Sequence, residues 1–569
     1  MIPRLLVRIA GKIIARPIRR RLRHFEDACQ NPEAVQTALL ERILKFQVDT
    51  GYGRDHGFRT IRTVADYRRQ VPIGPYDALA PYIQRMQKGE SNALVADPIV
   101  HMFALTSGTT AARKLIPITP SYLAAYRNGW NIWGLKAMRD HRPIILRPIV
   151  QLAGDPEEYR TEAGIPCGNL SGLTATMQKR LIKWLYCVPS SSGKIKDATA
   201  RYYVALRFSI RKQIGMLLSA NPSTLVALAR TMDQHKESLI RDLRDGTLNP
   251  QLELPPFVRE QVKSRLVKDV ERSQLLEAAV NRDGALLPSA VWSPERTLIG
   301  TWTGGSVGPY LRQLSKYYAN TPIRDLGLLA SEGRMTLPMD DDTPAGVLDI
   351  TSHYFEFVPE SEMDRPNPTV LGAHELQDGQ SYFILPTTMA GLYRYHISDL
   401  VRVNGFFHRT PNLEFLGKGN RFANLTGEKL SEHQVTQAME SVMRRTGQPV
   451  TGYSLAPCWD EARPYYGVFM EECDWPTGRD PRSFLAALES ALSEQNIEYD
   501  AKRQSSRLGP VRLLLLPTGT WSKWDRDRVT QTGGSPEQYK HPCLIGDVKF
   551  RSTMPVLREV EMNEHAVIV

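Results

Sequence analysis

Thr106-Ser107-Gly108-Thr109-Thr110-Ala111-Ala112-Arg113-Lys114 follows directly on an apolar run, residues 99–105, that begins after Pro98 and reads as a β-strand. Phosphate oxygens are strong acceptors, so a site for them wants hydroxyls, free backbone N–H groups and a cation on a tight turn. This stretch supplies four hydroxyls, one permissive glycine and Lys114. It is not a Walker A loop, because Gly-Lys-Ser and Gly-Lys-Thr occur nowhere in the chain. A plain Ser/Thr-rich turn has the same composition, and these residues alone leave both readings open.

Outward from this turn, residues 120–136 have helical spacing, and Asn31-Pro32 opens an earlier helix carrying Val35, Ala38, Leu39, Ile43 and Leu44. Further on, a strand at 297–302, a glycine turn at 304–308, a helix at 310–318 and a strand at 325–330 spell a parallel βαβ unit. Residues 201–291 read as mostly helical, and 347–358 with 381–405 as antiparallel strands. The pattern changes after Gly427. A helix from Ser431-Glu432, strands at 451–456 and 465–471, a helix at 482–495 and a final strand at 511–516 make a small α+β unit.

The composition is that of a folded globular protein: 569 residues, 42% hydrophobic and 23% charged. The net charge of +11 invites a polyanion partner, but its distribution argues otherwise. Arg4, Arg8, Lys12, Arg16, Arg19, Arg20, Arg21 and Arg23 precede the first acidic residue, and the rest of the chain is nearly balanced. Residues 2–23 can form a basic amphipathic helix that touches an anionic membrane weakly, or one that packs on its own domain. Nucleic acid is not an expected partner. No apolar run reaches the roughly 18 residues that span a bilayer, no secretory signal is evident, and the six cysteines lack C-x-x-C spacing. These features point to a cytoplasmic protein, expected to be a monomer.

A second motif, Leu392-Tyr393-Arg394-Tyr395-His396-Ile397-Ser398-Asp399, places an aspartate at a strand boundary, where a carboxylate can accept hydrogen bonds from ribose hydroxyls. Other landmarks are Val71-Pro72-Ile73, Tyr76-Asp77, Pro81-Tyr82-Ile83-Gln84-Arg85 and Lys114-Leu115-Ile116-Pro117. Ala330-Ser331-Glu332, Tyr354-Phe355-Glu356-Phe357, Gly427-Glu428-Lys429 and Gln538-Tyr539-Lys540 follow in order. In this order and spacing, from about residue 31 to 549, the chain resembles the auxin-responsive (Gretchen Hagen) family of acyl-acid amido synthetases, a branch of the adenylate-forming superfamily.

The resemblance implies an α/β fold, with a basic segment at 1–24, a large adenylation and acyl-binding domain at 25–428, and a small mobile domain at 429–569. The large domain would combine parallel βαβ units with a β-rich part. The resemblance also implies a two-step ATP- and Mg²⁺-dependent ligation of a small carboxylic acid to an amine, usually an amino acid, through an acyl adenylate. Ser107, Gly108, Thr109, Thr110 and Lys114 would hold phosphates with Ser331 nearby, and Glu332 would help carry Mg²⁺. Tyr354 and Phe355 would wall the adenine, Asp399 would hold the ribose, and Lys540 would reach the α-phosphate. A hinge is expected near residues 427–429.

The chain departs from the family pattern in places. Ala111 replaces a usual glycine, Leu328-Leu329 replaces a segment with Tyr or Gly, and Y-R-Y-R-x-G-D reads Tyr393-Arg394-Tyr395-His396-Ile397-Ser398-Asp399. His396 is expected as a strand residue. Three alternatives accompany the ligase reading: thioester formation with coenzyme A, a non-catalytic membrane-surface protein, and a serine hydrolase. The hydrolase reading rests on Gly304-Gly305-Ser306-Val307-Gly308, which fits G-x-S-x-G with Ser306 as nucleophile and His353, His374 or His396 downstream. Asp340-Asp341-Asp342 is expected to be an exposed acidic turn, and Tyr126, Trp130 and Trp133 core or pocket wall.

Overall fold

The computed structural model describes residues 19–106, 114–177, 183–305, 307–363, 365–419, 422–423, 425–426, 428, 430–447, 449–460, 463–475, 480–504, 508–532, 539–562 and 567–568. The roles expected of residues 2–18, of Ser107, Gly108, Thr109 and Thr110, and of Ser306 therefore lie outside the described residues. The chain divides into two compact units: residues 1–303, 313–397 and 401–415 in one, and 304–312, 398–400 and 416–569 in the other.

In the first unit, the βαβ pattern becomes a parallel sheet in the order Ile149–Gln151, Met216–Leu218, Leu298–Thr301, Ile323–Asp325. Its register pairs Ile149 with Met216, Met216 with Leu298 and Ile299 with Ile323. Met216–Leu218 lies within the stretch read as helical. Three apolar residues carry no periodicity, so only pairing on both sides marks them as a strand. The strand expected at 325–330 is also two elements. Ile323–Asp325 joins the parallel sheet, and Leu329–Ala330 forms a separate hairpin with Gly333–Arg334 after the positive-φ Gly327. The helix Pro120–Asp140 is capped by the Thr119 side chain and buries Tyr122, Leu123, Tyr126, Ile132 and Trp133. A Cβ on Gly300 would lie 2.6 Å from Leu218 Cδ2 and 3.1 Å from the Trp133 ring, so any side chain there would have to displace these core groups.

The antiparallel part is a seven-stranded sheet, which includes Ala345–Leu348, Tyr354–Pro359, Ser381–Thr387, Asp399–Phe407 and Thr410–Lys418. Residues 388–398 between two of these strands are irregular rather than extended, so His396 is not a strand residue. Its ring instead meets Phe383 edge-on. The helix over residues 19–28 buries Leu22 and Phe25 and leaves Arg19, Arg20, Arg21 and Arg23 exposed. Among the described residues, no helix is long and apolar enough to cross a membrane.

The second unit is built on a sheet in the order Tyr453–Cys458, Tyr465–Glu471, Arg512–Leu516, Arg558–Val560, Val567–Ile568. Arg512–Leu516 is therefore central, not final. It runs parallel to Tyr465–Glu471, and the crossover between them contains the helix Pro481–Gln495. The helix Glu432–Thr446 opens with a Ser431–Gln434 capping box, and both helices bury apolar faces (Val435, Met439, Leu485, Leu488) in one core with Leu455, Val468 and Leu513.

Candidate active site

Lys114 opens the strand Lys114–Ile118, directly opposite Thr106 at the end of Met102–Thr106. Lys114 therefore begins the first described residues that follow the hydroxyl-rich sequence 107–110. Its ammonium donates to the Tyr395 hydroxyl at 3.2 Å and lies 5.6 and 5.8 Å from the ring centres of Tyr76 and Tyr395. Tyr76 is held by Leu115, whose N–H donates to its hydroxyl at 2.9 Å. Tyr395 is brought in by a parallel bridge to Gly74, reinforced by the His396 N–H donating to the Gly74 carbonyl at 2.8 Å. Three sequence landmarks thus converge on one lysine.

Ser331 and Glu332 form the tip of the hairpin that pairs Ala330 with Gly333. Glu332 is buried, and the Tyr122 hydroxyl donates to the Ser331 carbonyl at 2.7 Å. Burial pushes the Tyr76 phenol up to about 12, with Glu332 among the neighbouring charges that add to the rise. Burial and then charges including Glu332 push Tyr122 up as well. Glu332 thus lies within electrostatic reach of the tyrosine over whose ring Lys114 sits.

The strand Tyr354–Pro359 divides its residues between two faces. His353 stacks on Tyr122, with ring centres 6.4 Å apart, and meets Phe355 edge-on, while Tyr354 meets Tyr67 edge-on. The expectation that Tyr354 and Phe355 wall one ring together conflicts with this alternation: Phe355 faces the side of Tyr122 and Tyr354 the other. Glu356 ties the fold together beneath them. It accepts from Arg68 Nε at 2.8 Å and from Arg394 Nε at 2.7 Å, and Arg394 Nη1 donates to the carbonyls of Arg68 and Val71.

His353 is fully buried, and burial holds its imidazole down at about 4. Of the other candidate hydrolase bases, His374 lies 3.8 Å from Glu33. Asp341, from the acidic turn, accepts from Arg324 at 2.7 Å and pairs with His141 at 2.7 Å. Tyr126 and Trp133 are core residues, and Trp130 lies over the buried guanidinium of Arg334, 4.4 Å from its ring centre.

The second unit holds Asp399, which pairs with Lys418 at the end of Thr410–Lys418. Ser398 before it has φ +65°, the left-handed region, at the position where the family pattern has glycine. Lys540 is half-buried on the segment following the helix Thr520–Thr532. Tyr76, Tyr395 and Lys418 were not among the sequence candidates. Tyr76 and Tyr395 stood inside quoted motifs, but nothing in the chain linked them to a lysine tens or hundreds of residues away.

The fold aligns with that of 2-hydroxyisobutyryl-CoA ligase, solved in the postadenylation state with R3-HIB-AMP, at a TM-score of 0.51 and 12% identity over 92% of each chain. Similarity is greater to the solved GH3.15 acyl acid amido synthetase, at a TM-score of 0.80 and 19% identity over 95% of this chain and 96% of that one. By sequence, the chain is 23% identical over 547 residues to jasmonoyl–L-amino acid synthetase JAR6 of Nicotiana attenuata, covering 92% of this chain and 93% of that protein. The GH3 family N-terminal domain matches residues 21–323, the central domain 346–418 and the C-terminal domain 433–549, and the chain belongs to the GH3 family.

Proposed function

We propose that the chain is an ATP- and Mg²⁺-dependent ligase that joins a small carboxylic acid to an amine, in the first instance an amino acid. Lys114, which follows the hydroxyl-rich sequence 107–110 in the chain and lies over Tyr76 and Tyr395, with Glu332 within electrostatic reach of Tyr76, is the observation that carries this reading. A carboxylate oxygen of the acid attacks the α-phosphorus of ATP, and pyrophosphate leaves with the bonding pair. The amine nitrogen then attacks the acyl carbonyl of the adenylate, AMP leaves, and the nitrogen gives up a proton. Neither step needs a protein nucleophile; both need charge compensation and alignment.

In this reading Ser107, Gly108, Thr109, Thr110 and Lys114 hold the phosphates, with the Ser331 turn alongside. Glu332 fits a Mg²⁺ ion, because its buried carboxylate is a hard oxygen donor. Among the described residues, no group of three or more His, Cys, Asp or Glu could hold a metal. One carboxylate with substrate phosphates as the remaining ligands suits Mg²⁺, which when bound neutralises phosphate charge. Asp399 keeps one oxygen on Lys418 and offers the other to the ribose. The adenine is assigned to the Phe355 side of its strand, and Lys540 to the α-phosphate.

Acid-dependent ATP–pyrophosphate exchange across a panel of carboxylic acids tests the first step. Product formation with amino acids against coenzyme A tests the acceptor. Lys540→Ala is expected to lose most exchange with the best acid, and unchanged exchange would remove Lys540 from the reaction. Thioester formed in preference to amide would overturn the amine as acceptor.

A further inference from the structure

Within the second unit, His541 follows Lys540 and is nine-tenths buried. Its Nδ1 donates to Asp525 Oδ1 at 2.8 Å, and its Nε2 lies 2.9 Å from Ser454 Oγ. Trp521 and Trp524 close on the ring edge-on, with centres 4.5 and 5.6 Å away. A serine, a histidine and an aspartate in line suggest a nucleophile, but the surroundings exclude one. Ser454 is fully buried in the strand Tyr453–Cys458, and its hydroxyl donates to the Pro542 carbonyl at 2.7 Å. The adjoining cavity of about 50 Å³ is lined by Asp525, His541 and Trp521 but not by Ser454. The line of groups is a clamp on the backbone, not a reactive centre.

What it clamps is the segment bearing Lys540. From Cys543 onward this segment is stitched to the sheet: the Leu455 N–H donates to Cys543 O at 2.8 Å, the Ile545 N–H to Leu455 O at 2.9 Å, and the Cys543 N–H to Glu432 Oε1 at 2.7 Å. Ser454 extends the stitching to the Pro542 carbonyl, and the His541 side chain adds an anchor on the residue next to Lys540. Asp525 also faces the Tyr539 hydroxyl, whose pKa is pushed up by burial and then by that carboxylate. One aspartate thus engages the side chains on both sides of Lys540.

We propose that His541, held between Asp525 and Ser454, is a positioning residue that fixes the backbone of Lys540 and so sets the direction in which its ammonium points. This rests on the assignment of Lys540 to the α-phosphate. A lysine has four rotatable bonds and no rigid fork, so the orientation of its backbone limits where its charge can be delivered.

The test uses the full-length protein and acid-dependent ATP–pyrophosphate exchange, with kcat and the KM for ATP measured separately. His541→Ala is expected to lower kcat about 10- to 100-fold, the scale of a misplaced catalytic group, with KM nearly unchanged. His541→Gln, which can still bridge Asp525 and Ser454, is expected to recover part of the loss. The double variant His541→Ala/Lys540→Ala is expected to be no slower than Lys540→Ala alone, because a mispositioned lysine and a missing one are the same defect. Asp525→Asn, with its side-chain size kept, serves if His541→Ala does not fold, and the same non-additivity with Lys540→Ala is expected. Losses that add in the double variant would mean a purely structural role and overturn the proposal. Full exchange in His541→Ala while Lys540→Ala is inactive overturns it too, leaving the lysine assignment intact. Full exchange in Lys540→Ala overturns the assignment itself.

Discussion

Arg394 Nε lies 2.7 Å from Glu356 Oε2, and both side chains are almost wholly buried. Glu356 comes from the Tyr-Phe-Glu-Phe landmark and Arg394 from the segment before Asp399, so one ion pair joins two motifs that face each other only in the fold. Arg68 completes it from the other carboxylate oxygen at 2.8 Å. Removing one partner of such a pair leaves an uncompensated buried charge. Glu356→Ala is expected to destabilise the protein by about 3–5 kcal/mol. Urea unfolding of the full chain checks this, and a midpoint within error of the parent would refute it.

Lys114 is the cation of the proposed phosphate site. Lys114→Met keeps the stem packed on Tyr76 and Tyr395 but removes the charge. Exchange is expected to fall by about 10²-fold or more, the loss typical of deleting one preorganised electrostatic donor. Tyr395→Phe removes only the hydroxyl that accepts from the ammonium, keeps the charge itself, and should cost far less. Equal losses in the two variants would place the tyrosine hydroxyl, not the ammonium, at the reacting phosphates.

Glu332→Gln tests the metal assignment. The amide keeps the shape of the hairpin tip and loses the charge that attracts Mg²⁺. The Mg²⁺ concentration for half-maximal exchange is expected to rise at least about tenfold. An unaltered Mg²⁺ titration would move the ion elsewhere.

Ser398 occupies left-handed backbone at φ +65°. Such a conformation costs a side chain about 1–2 kcal/mol that glycine escapes, offset in part by the greater chain entropy of glycine. Ser398→Gly is therefore expected to stabilise the protein by about 0.5–1 kcal/mol, read as a higher melting temperature.

His353 gives a pH dependence. Its imidazole titrates near 6.5 in the unfolded chain, and burial lowers it to about 4 in the folded protein. The unfolded state therefore binds the extra proton first. The stability associated with this residue is complete above pH 6.5 and declines as pH falls toward 4, by about 3 kcal/mol in all. In His353→Phe the slope of stability between pH 6.5 and 4 should be shallower, measured by urea titration at several pH values. Identical slopes would mean that the ring takes up its proton equally readily in the folded and unfolded states.

Much of this protein was readable before folding. The helices Pro32–Gln47, Pro120–Asp140 and Pro481–Gln495 carry their own caps and apolar stripes, so local periodicity is enough to find them. The strand Leu298–Thr301 with its parallel βαβ pattern and the GH3 family were legible too, although the partner strand Ile323–Asp325 was expected at 325–330. The family was legible because motif order spans most of the chain. The three-residue strand Met216–Leu218 and the final strand pairings were not. They exist because neighbours supply hydrogen bonds, and no local pattern records a neighbour.

The same distinction separates the residues of the site. Sequence alone determined which groups carry charge and hydroxyls, and in what order: Lys114 after a Ser/Thr turn, Glu332 after Ser331, Asp399 and Lys540 further on. Only the tertiary structure decided that Tyr76 and Tyr395 face one lysine, that Phe355 and Tyr354 look to opposite sides, and that His541 is fastened to Asp525 and Ser454. Residue chemistry is a property of each position, whereas direction and distance are set by packing between segments far apart in the chain.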